Sequence, residues 1–162
     1  MFDESARQAI RETLETYRKA GRSPDQSRYA AAIDALLAVQ RERGWLSDQT
    51  LRDLAAELQL GVDELDALAS FYPRLFRHPT GRHRIYYCDS VSCWIMGCEA
   101  LREQLQDRLG IAPGETSEDG RFTLLPTVCL GLCEQAPVLA VDDDLYPLSE
   151  PTALNEILDG YE

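Results

Sequence analysis

Residues 81–93 read GRHRIYYCDSVSC, and residues 119–137 read DGRFTLLPTVCLGLCEQAP. Each is a β-prone run closed by a pair of cysteines. RHRIYY, at 82–87, leads directly into Cys88; its β-branched and aromatic residues favour extended backbone. RFTLL, at 121–125, follows an Asp119-Gly120 turn and leads toward Cys129. Pro126 argues against a long central strand continuing past it. Four residues separate Cys88 from Cys93, three separate Cys129 from Cys133, and 35 lie between the pairs. Two strand ends of one sheet can place four thiolates around a common point on one edge.

The surrounding pattern supplies the rest of that sheet. Leu101, Leu105 and Leu109 recur at helical spacing within 95–109, and Gly110 ends the pattern. PVLAV (137–141) and LYPL (145–148) flank an Asp142–Asp144 turn and read as a hairpin. Pro151 suits the first turn of a last helix, with Leu154, Ile157 and Leu158 facing inward and Gly160 at its end. The order β-α-β-β-β-α predicts a small α/β sandwich of thioredoxin-like type.

Upstream, the period changes to that of amphipathic helices. Ala6, Ile10, Leu14 and Tyr17 share a face within 3–20. Ala30, Ile33, Leu36 and Leu37, with Val39 on the flank, do so within 27–43, after Pro24 and before Gly44. Ser47 can cap a helix over 48–59 with Leu51, Leu54, Ala55 and Leu58 on one face, ended by Gly61. A fourth, about 63–71, carries Leu65, Leu68 and Ala69. One-sided stripes of this kind must be packed against something. The turn-forming run His78-Pro79-Thr80-Gly81 marks a boundary. The expected fold class is therefore α+β: a helical bundle over 1–79 and a thioredoxin-like α/β domain over 80–162. Phe71, Tyr72, Leu75 and Phe76 read as core at the junction of the halves or as part of a docking surface. His78 and His83, the only histidines, read as solvated or hydrogen-bonded side chains.

Composition narrows the function. The 162 residues are 44% hydrophobic and 27% charged, a globular balance, with a net charge of −12. Residues 1–80 hold 11 Arg and Lys against 13 Asp and Glu, a net of −2; residues 81–162 hold 5 against 15, a net of −10. Such a chain is repelled by nucleic acid and by anionic membrane surfaces, so neither is an expected partner. The start, MFDESARQAI, is acidic and lacks the apolar core of a signal peptide. No apolar run approaches the roughly 20 residues that span a bilayer, so direct membrane insertion is not expected. All five cysteines lie between Cys88 and Cys133. That odd count weakens a disulfide framework and suits a reducing compartment, where thiols stay free or bind metal.

Thiolate is a soft ligand, suited to iron–sulfur clusters, zinc or Cu(I). Structural zinc usually sits in C-x₂-C knuckles, and neither pair has that spacing. A thioredoxin-type dithiol requires C-x-x-C, and CLGLC has one residue too many. A four-thiolate site holding a cluster is the leading reading. A zinc-stapled interaction module is the alternative from another class. Cys98 repeats the x₄ interval after Cys93, so it can compete as a ligand; its place at the start of an amphipathic helix reads as buried filler. Ser90, Ser92, Gly97 and Gly131 are small enough to let backbone N–H groups approach cluster sulfur.

The pattern C-x₄-C-x₃₅-C-x₃-C, in these contexts, resembles the E-subunit family of bacterial NADH:quinone oxidoreductase (respiratory complex I). The likeness extends upstream through LASFYPRLFRHPTG (68–81) and ERGWLS (42–47). It implies a helical bundle followed by a thioredoxin-like domain. It also implies one [2Fe–2S] cluster held by Cys88, Cys93, Cys129 and Cys133, with Cys98 outside the pattern. The implied partners are a subunit that binds FMN and NADH, and further iron–sulfur subunits. The implied location is cytoplasmic, peripheral to the inner membrane through the complex. The same module occurs in NAD-linked hydrogenases and formate dehydrogenases, so an equivalent diaphorase subunit remains open. No Gly-rich dinucleotide fingerprint or P-loop occurs in the sequence. No catalytic residue, and no turnover by the isolated chain, is expected.

Overall fold

Two serines set where helices of the N-terminal half begin. In the computed structural model, which describes residues 4–148 and 153–161, the chain divides into units Met1–Pro79 and Thr80–Glu162. The first contains α1 (Glu4–Lys19), α2 (Pro24–Arg43), α3 (Asp48–Leu58) and α4 (Val62–Phe71). Ser23 Oγ accepts the Gln26 N–H at 3.2 Å while Gln26 Oε1 accepts the Ser23 N–H at 3.2 Å. This reciprocal cap starts α2 at Pro24, earlier than its apolar stripe indicates. Ser47 Oγ accepts the Thr50 N–H at 3.1 Å and starts α3. Gln59, left-handed at φ 55°, stops that helix in place of Gly61. Gly61 instead precedes α4, where its N–H donates to Glu64 Oε2 at 2.6 Å.

Leu36, Leu46, Leu51, Leu54, Leu58 and Leu65 are fully buried in this unit. Of the expected α2 stripe, Leu36 and flanking Val39 are buried, but Ala31, Ala32 and Ala35 turn inward in place of Ala30, Ile33 and Leu37. Because α2 packs against α1, α3 and α4, its alanines face neighbouring helices while Ile33 and Leu37 are half-buried. The Phe71–Phe76 group also splits. Leu75 joins this unit's core, Tyr72 packs against it, and Phe71 is 76% exposed.

The segment after α4 is fastened by two polar side chains. Gln40 Nε2 donates to the Arg74 carbonyl at 2.6 Å, and Gln40 Oε1 accepts the Phe76 N–H at 2.6 Å. Arg77 donates to Asp66 at 2.7 Å, to Asp48 at 2.5 Å and to the Leu46 carbonyl. The hydrogen bond from Arg77 to Asp48, and then the Arg77 charge, hold Asp48 below the usual carboxylate range.

The second unit contains β1 (His83–Cys88), α5 (Val91–Ile95), α6 (Cys98–Leu109), β2 (Phe122–Thr127), β3 (Val138–Val141), β4 (Asp144–Pro147) and α7 (Ala153–Asp159). Its sheet runs β2-β1-β3-β4. β1 is parallel to β2, with Ile85 opposite Leu124 and Cys88 opposite Thr127. It is antiparallel to β3, and β3 to β4. Ile85 and Tyr87 of β1 pack with Leu101 and Leu105 of α6 and Leu154 and Leu158 of α7.

The helix expected over 95–109 is α6 and starts three residues later, because Gly97 at φ 98° separates it from the short helix α5, which periodicity does not reveal. Cys88 closes β1 from inside the strand rather than following it. β2 runs through Pro126 to Thr127, beyond the residues expected to be extended. It is the edge strand, and the Leu124 N–H points away from β1 to the Glu115 carbonyl at 3.1 Å. Two residues on, Pro126 has the same orientation, so its missing N–H removes no bond to β1. At the β3–β4 turn, Asp142 accepts from the Arg84 N–H at 3.0 Å and lies 2.8 Å from His83 Nδ1. His83 is thus hydrogen-bonded, and His78 is exposed. Pro151 lies outside the described residues. Among those residues, no helix is long and apolar enough to cross a membrane.

Gln40→Leu removes a near-isosteric amide that satisfies two backbone groups. It is expected to cost about 1–3 kcal/mol for each group left unpaired and buried. Urea unfolding followed by far-UV circular dichroism checks this; a loss no larger than that of an exposed control such as Gln49→Leu contradicts it.

Candidate metal centre

Parallel pairing of β1 with β2 puts the carboxyl ends of both strands at one edge of the sheet. Cys88 is the last residue of β1, and Cys93 lies in α5. Cys129 follows β2 by two residues, and Cys133 opens a 3₁₀ turn at Cys133–Gln135. The Asp89 N–H donates to the Thr127 carbonyl at 3.2 Å, so the two loops leave the sheet side by side.

The four thiols gather as two pairs of different character. Cys88 and Cys93 are buried and hydrogen-bonded to each other. Cys129 and Cys133 are exposed, with sulfurs 3.2 Å apart. The pairs also touch across the loops. The Leu130 N–H reaches Cys88, and Ser92 hydrogen-bonds Cys133. Cys98 is buried against Cys88, Cys93 and Val138 in a small apolar cluster, as expected of filler at the start of α6. Among the described residues, no three His, Cys, Asp or Glu side chains converge as a group able to hold a metal ion. The four expected ligands thus lie as two close thiol pairs on adjoining loops.

Backbone donors prepare the site for negative charge. Burial alone would push the Cys88 thiol up. Hydrogen bonds from the Ser90 N–H, the Cys93 thiol and the Leu130 N–H outweigh it and leave Cys88 below the ordinary thiol value. Cys93 is pushed up to about 11, by burial first and then by its hydrogen bond to Cys88. Cys133 is also raised, chiefly by its hydrogen bond to Cys129 and by the like charge there. The Gly131 N–H donates to Cys129 Sγ at 3.4 Å. Gly131 is needed for its φ of 92°; a Cβ there would meet nothing within 4 Å, so close approach is not the reason for the glycine.

Sequence reasoning misses the apolar residues that bracket these cysteines. Val91, Trp94, Ile95 and Met96 on and after α5, and Val128 just before Cys129, are exposed. A signal for them exists: Val91, Trp94 and Ile95 fall at i, i+3 and i+4, a stripe that leaves out Cys93, the buried residue of α5.

Residues 11–162 match the thioredoxin-like [2Fe-2S] ferredoxin family. Over 133 residues the chain is 44% identical to the E subunit of NADH-quinone oxidoreductase from Escherichia coli (strain K12), covering 82% of this chain and 80% of that protein. It is 42% identical over 132 residues to the protein of the same name from Pseudomonas aeruginosa, with the same coverage. Among solved structures, NAD+-reducing [NiFe]-hydrogenase in the air-oxidized state matches with a TM-score of 0.66 and 30% identity, over 76% of this chain. The match spans 22% of the hydrogenase chain.

The difference in burial has a direct chemical readout. In metal-free, reduced protein, iodoacetamide is expected to modify Cys129 and Cys133 rapidly and Cys88, Cys93 and Cys98 only on unfolding. Peptide mass spectrometry over a time course checks this; equal rates at all five would contradict the described burial.

Proposed function

The chain belongs to the thioredoxin-like [2Fe-2S] ferredoxin family, and from that premise we propose that it is an electron-transfer subunit of NADH:quinone oxidoreductase. Cys88, Cys93, Cys129 and Cys133 would hold one [2Fe–2S] cluster, and the partner is the subunit that binds FMN and NADH. The observation that carries this reading is the placement of two thiol pairs on adjoining loops at one sheet edge, with backbone N–H groups directed at Cys88 and Cys129. When bound, the cluster supplies a one-electron carrier matched to a flavin that receives two electrons as hydride. The chain's own residues position and tune it. Cys88 and Cys93 would supply its buried ligands, and Cys129 and Cys133 its exposed ones. The Ser90, Leu130 and Gly131 N–H groups stabilise negative charge on the ligand sulfurs. Asp89 and Glu134, both exposed beside ligands, oppose the addition of an electron and so move the potential downward.

Hydride chemistry falls to the partner, since this sequence has no dinucleotide fingerprint. The chain reaches the membrane surface through the complex, from its cytoplasmic side. An equivalent diaphorase role in a hydrogenase is the second reading, favoured by the structural match to NAD+-reducing hydrogenase. The higher identity to the quinone-reductase relatives keeps it second. Further iron–sulfur subunits complete the path in either case.

Cys133→Ala removes one of four donors, and the purified variant is expected to lose visible absorption and bound iron. Cys98→Ala is expected to keep both. Reduced wild type is expected to show the paramagnetic signal of one unpaired electron. NADH should produce it only when the flavin subunit is present, whereas a strong chemical reductant should suffice for the chain alone. Iron content, absorption and electron paramagnetic resonance check these outcomes. A Cys133→Ala protein with wild-type iron overturns the ligand assignment, and an iron-loaded chain silent under strong reductant overturns the redox role.

A further inference from the structure

A single cation stands in the acidic surroundings of the cysteines. Over residues 85–107 and 122–162, which carry all five cysteines, Arg102 is the only Lys or Arg, against twelve Asp and Glu. It lies on α6 one turn after Cys98, which is buried with Cys88 and Cys93 in one apolar cluster. Residues four apart share a helix face, so Arg102 belongs to the side of α6 that carries Cys98. Its neighbour Leu101 packs with Tyr87, the residue before Cys88. Arg102 is half-buried, and its Nε–H is enclosed with no hydrogen-bond partner among the described residues. The Arg102 charge reaches both neighbours. Burial pushes the Tyr87 hydroxyl up, and Arg102 acts against it. Burial, then Asp89, Glu99 and Cys88, push the Cys98 thiol up, and Arg102 again opposes them.

Enclosing a guanidinium donor without a partner is costly, because it gives up hydrogen bonds to water. An anion within reach of its charge offsets that cost, and the thiolate set supplies one. A four-thiolate cluster is a net anion, and an electron added to it brings further like charge. A cation at a fixed distance therefore favours the reduced form over the oxidised one. Partial burial of Arg102 keeps salt from screening that field fully. Asp89, next to Cys88, acts on the same Tyr87 and Cys98 with the opposite sign. We propose that Arg102 is the counter-charge of the cysteine edge: it raises the potential of the cluster against Asp89, so that the cluster accepts an electron more readily. One electron enters, and no bond or proton changes place. This rests on the electron-transfer reading above.

The full-length, iron-loaded chain is titrated with dithionite in the presence of redox mediators, as wild type, Arg102→Gln, Arg102→Lys and Asp89→Asn. Visible absorption and electron paramagnetic resonance report the reduced fraction. At a fixed potential, Arg102→Gln is expected to lower the ratio of reduced to oxidised chain at least about threefold, a downward shift of about 28 mV for a one-electron couple. Arg102→Lys keeps the charge and should move the ratio far less. Asp89→Asn should move it the other way, and the double variant should return toward wild type. Iron content should match wild type throughout. A role in packing alone would change the urea midpoint and leave the potential in place. An unmoved potential in loaded Arg102→Gln overturns the proposal, and so does an equal shift in Arg102→Lys. Should Arg102→Gln lose iron, Arg102→Met decides by the same criterion. A wild-type chain that takes up no iron overturns the electron-transfer reading and the proposal with it. A loaded, reducible wild type whose potential is indifferent to the charge at residue 102 overturns the counter-charge alone.

Discussion

The parallel pairing of β1 with β2 is the constraint on which the rest of the second unit depends. Parallel neighbours end on the same side of a sheet. With Cys88 opposite Thr127, the loops that follow must leave together, and their cysteines meet without any long reach. A slip of one residue would turn Ile85 and Tyr87 away from the α6–α7 core. It would also move Cys88 from the position at which Ser90 and Leu130 present their N–H groups to it. The hydrophobic register and the chemistry of the edge are therefore specified by one set of contacts. The edge position of β2 is part of the same arrangement, since it lets the strand carry Pro126 right up to the cysteine loop.

Much of this was legible in the sequence because it depends on short-range rules. Strand propensity before each cysteine pair, the Ser47 cap, the Leu51–Leu58 stripe and the Asp142–Asp144 turn are all local. The spacing of the cysteines named the candidate ligands, and their family likeness supplied the cluster type. The missed features depend on neighbours. Ala31 and Ala35 carry a weak periodic signal, and only the crowding of α2 by three other helices turns them inward. The Leu101–Leu109 spacing gives α6 but not its start, which the left-handed φ of Gly97 sets by dividing α5 from α6. Gln59 stops α3 through backbone conformation, not residue type. The exposed stripe at Trp94 was missed because apolar residues are read as inward-facing until a structure gives their exposure.

The two thiol pairs are unequal in ways that follow from their elements. Cys88 and Cys93 belong to a strand and a helix and are enclosed by Cys98, Val138 and partly buried Leu130 and Leu132. Cys129 and Cys133 belong to a glycine-containing turn open to solvent. The inner pair is desolvated, and the outer pair is reachable from solvent. The acidic residues near both act in one direction, against further negative charge. The N–H groups act in the other, so local backbone geometry and more distant side-chain charge compete in setting the properties of the edge.

β1 also has a second end. Its six residues set His83 and the Asp142 turn about 17 Å from Cys88. The strand is a fixed spacer through the core, with the cysteine loops at one terminus and an ion-paired hairpin tip at the other. A fluorophore or spin label placed at that tip sits beyond contact with the thiols yet on the same rigid element. It offers a molecular ruler whose far mark is the proposed cluster site.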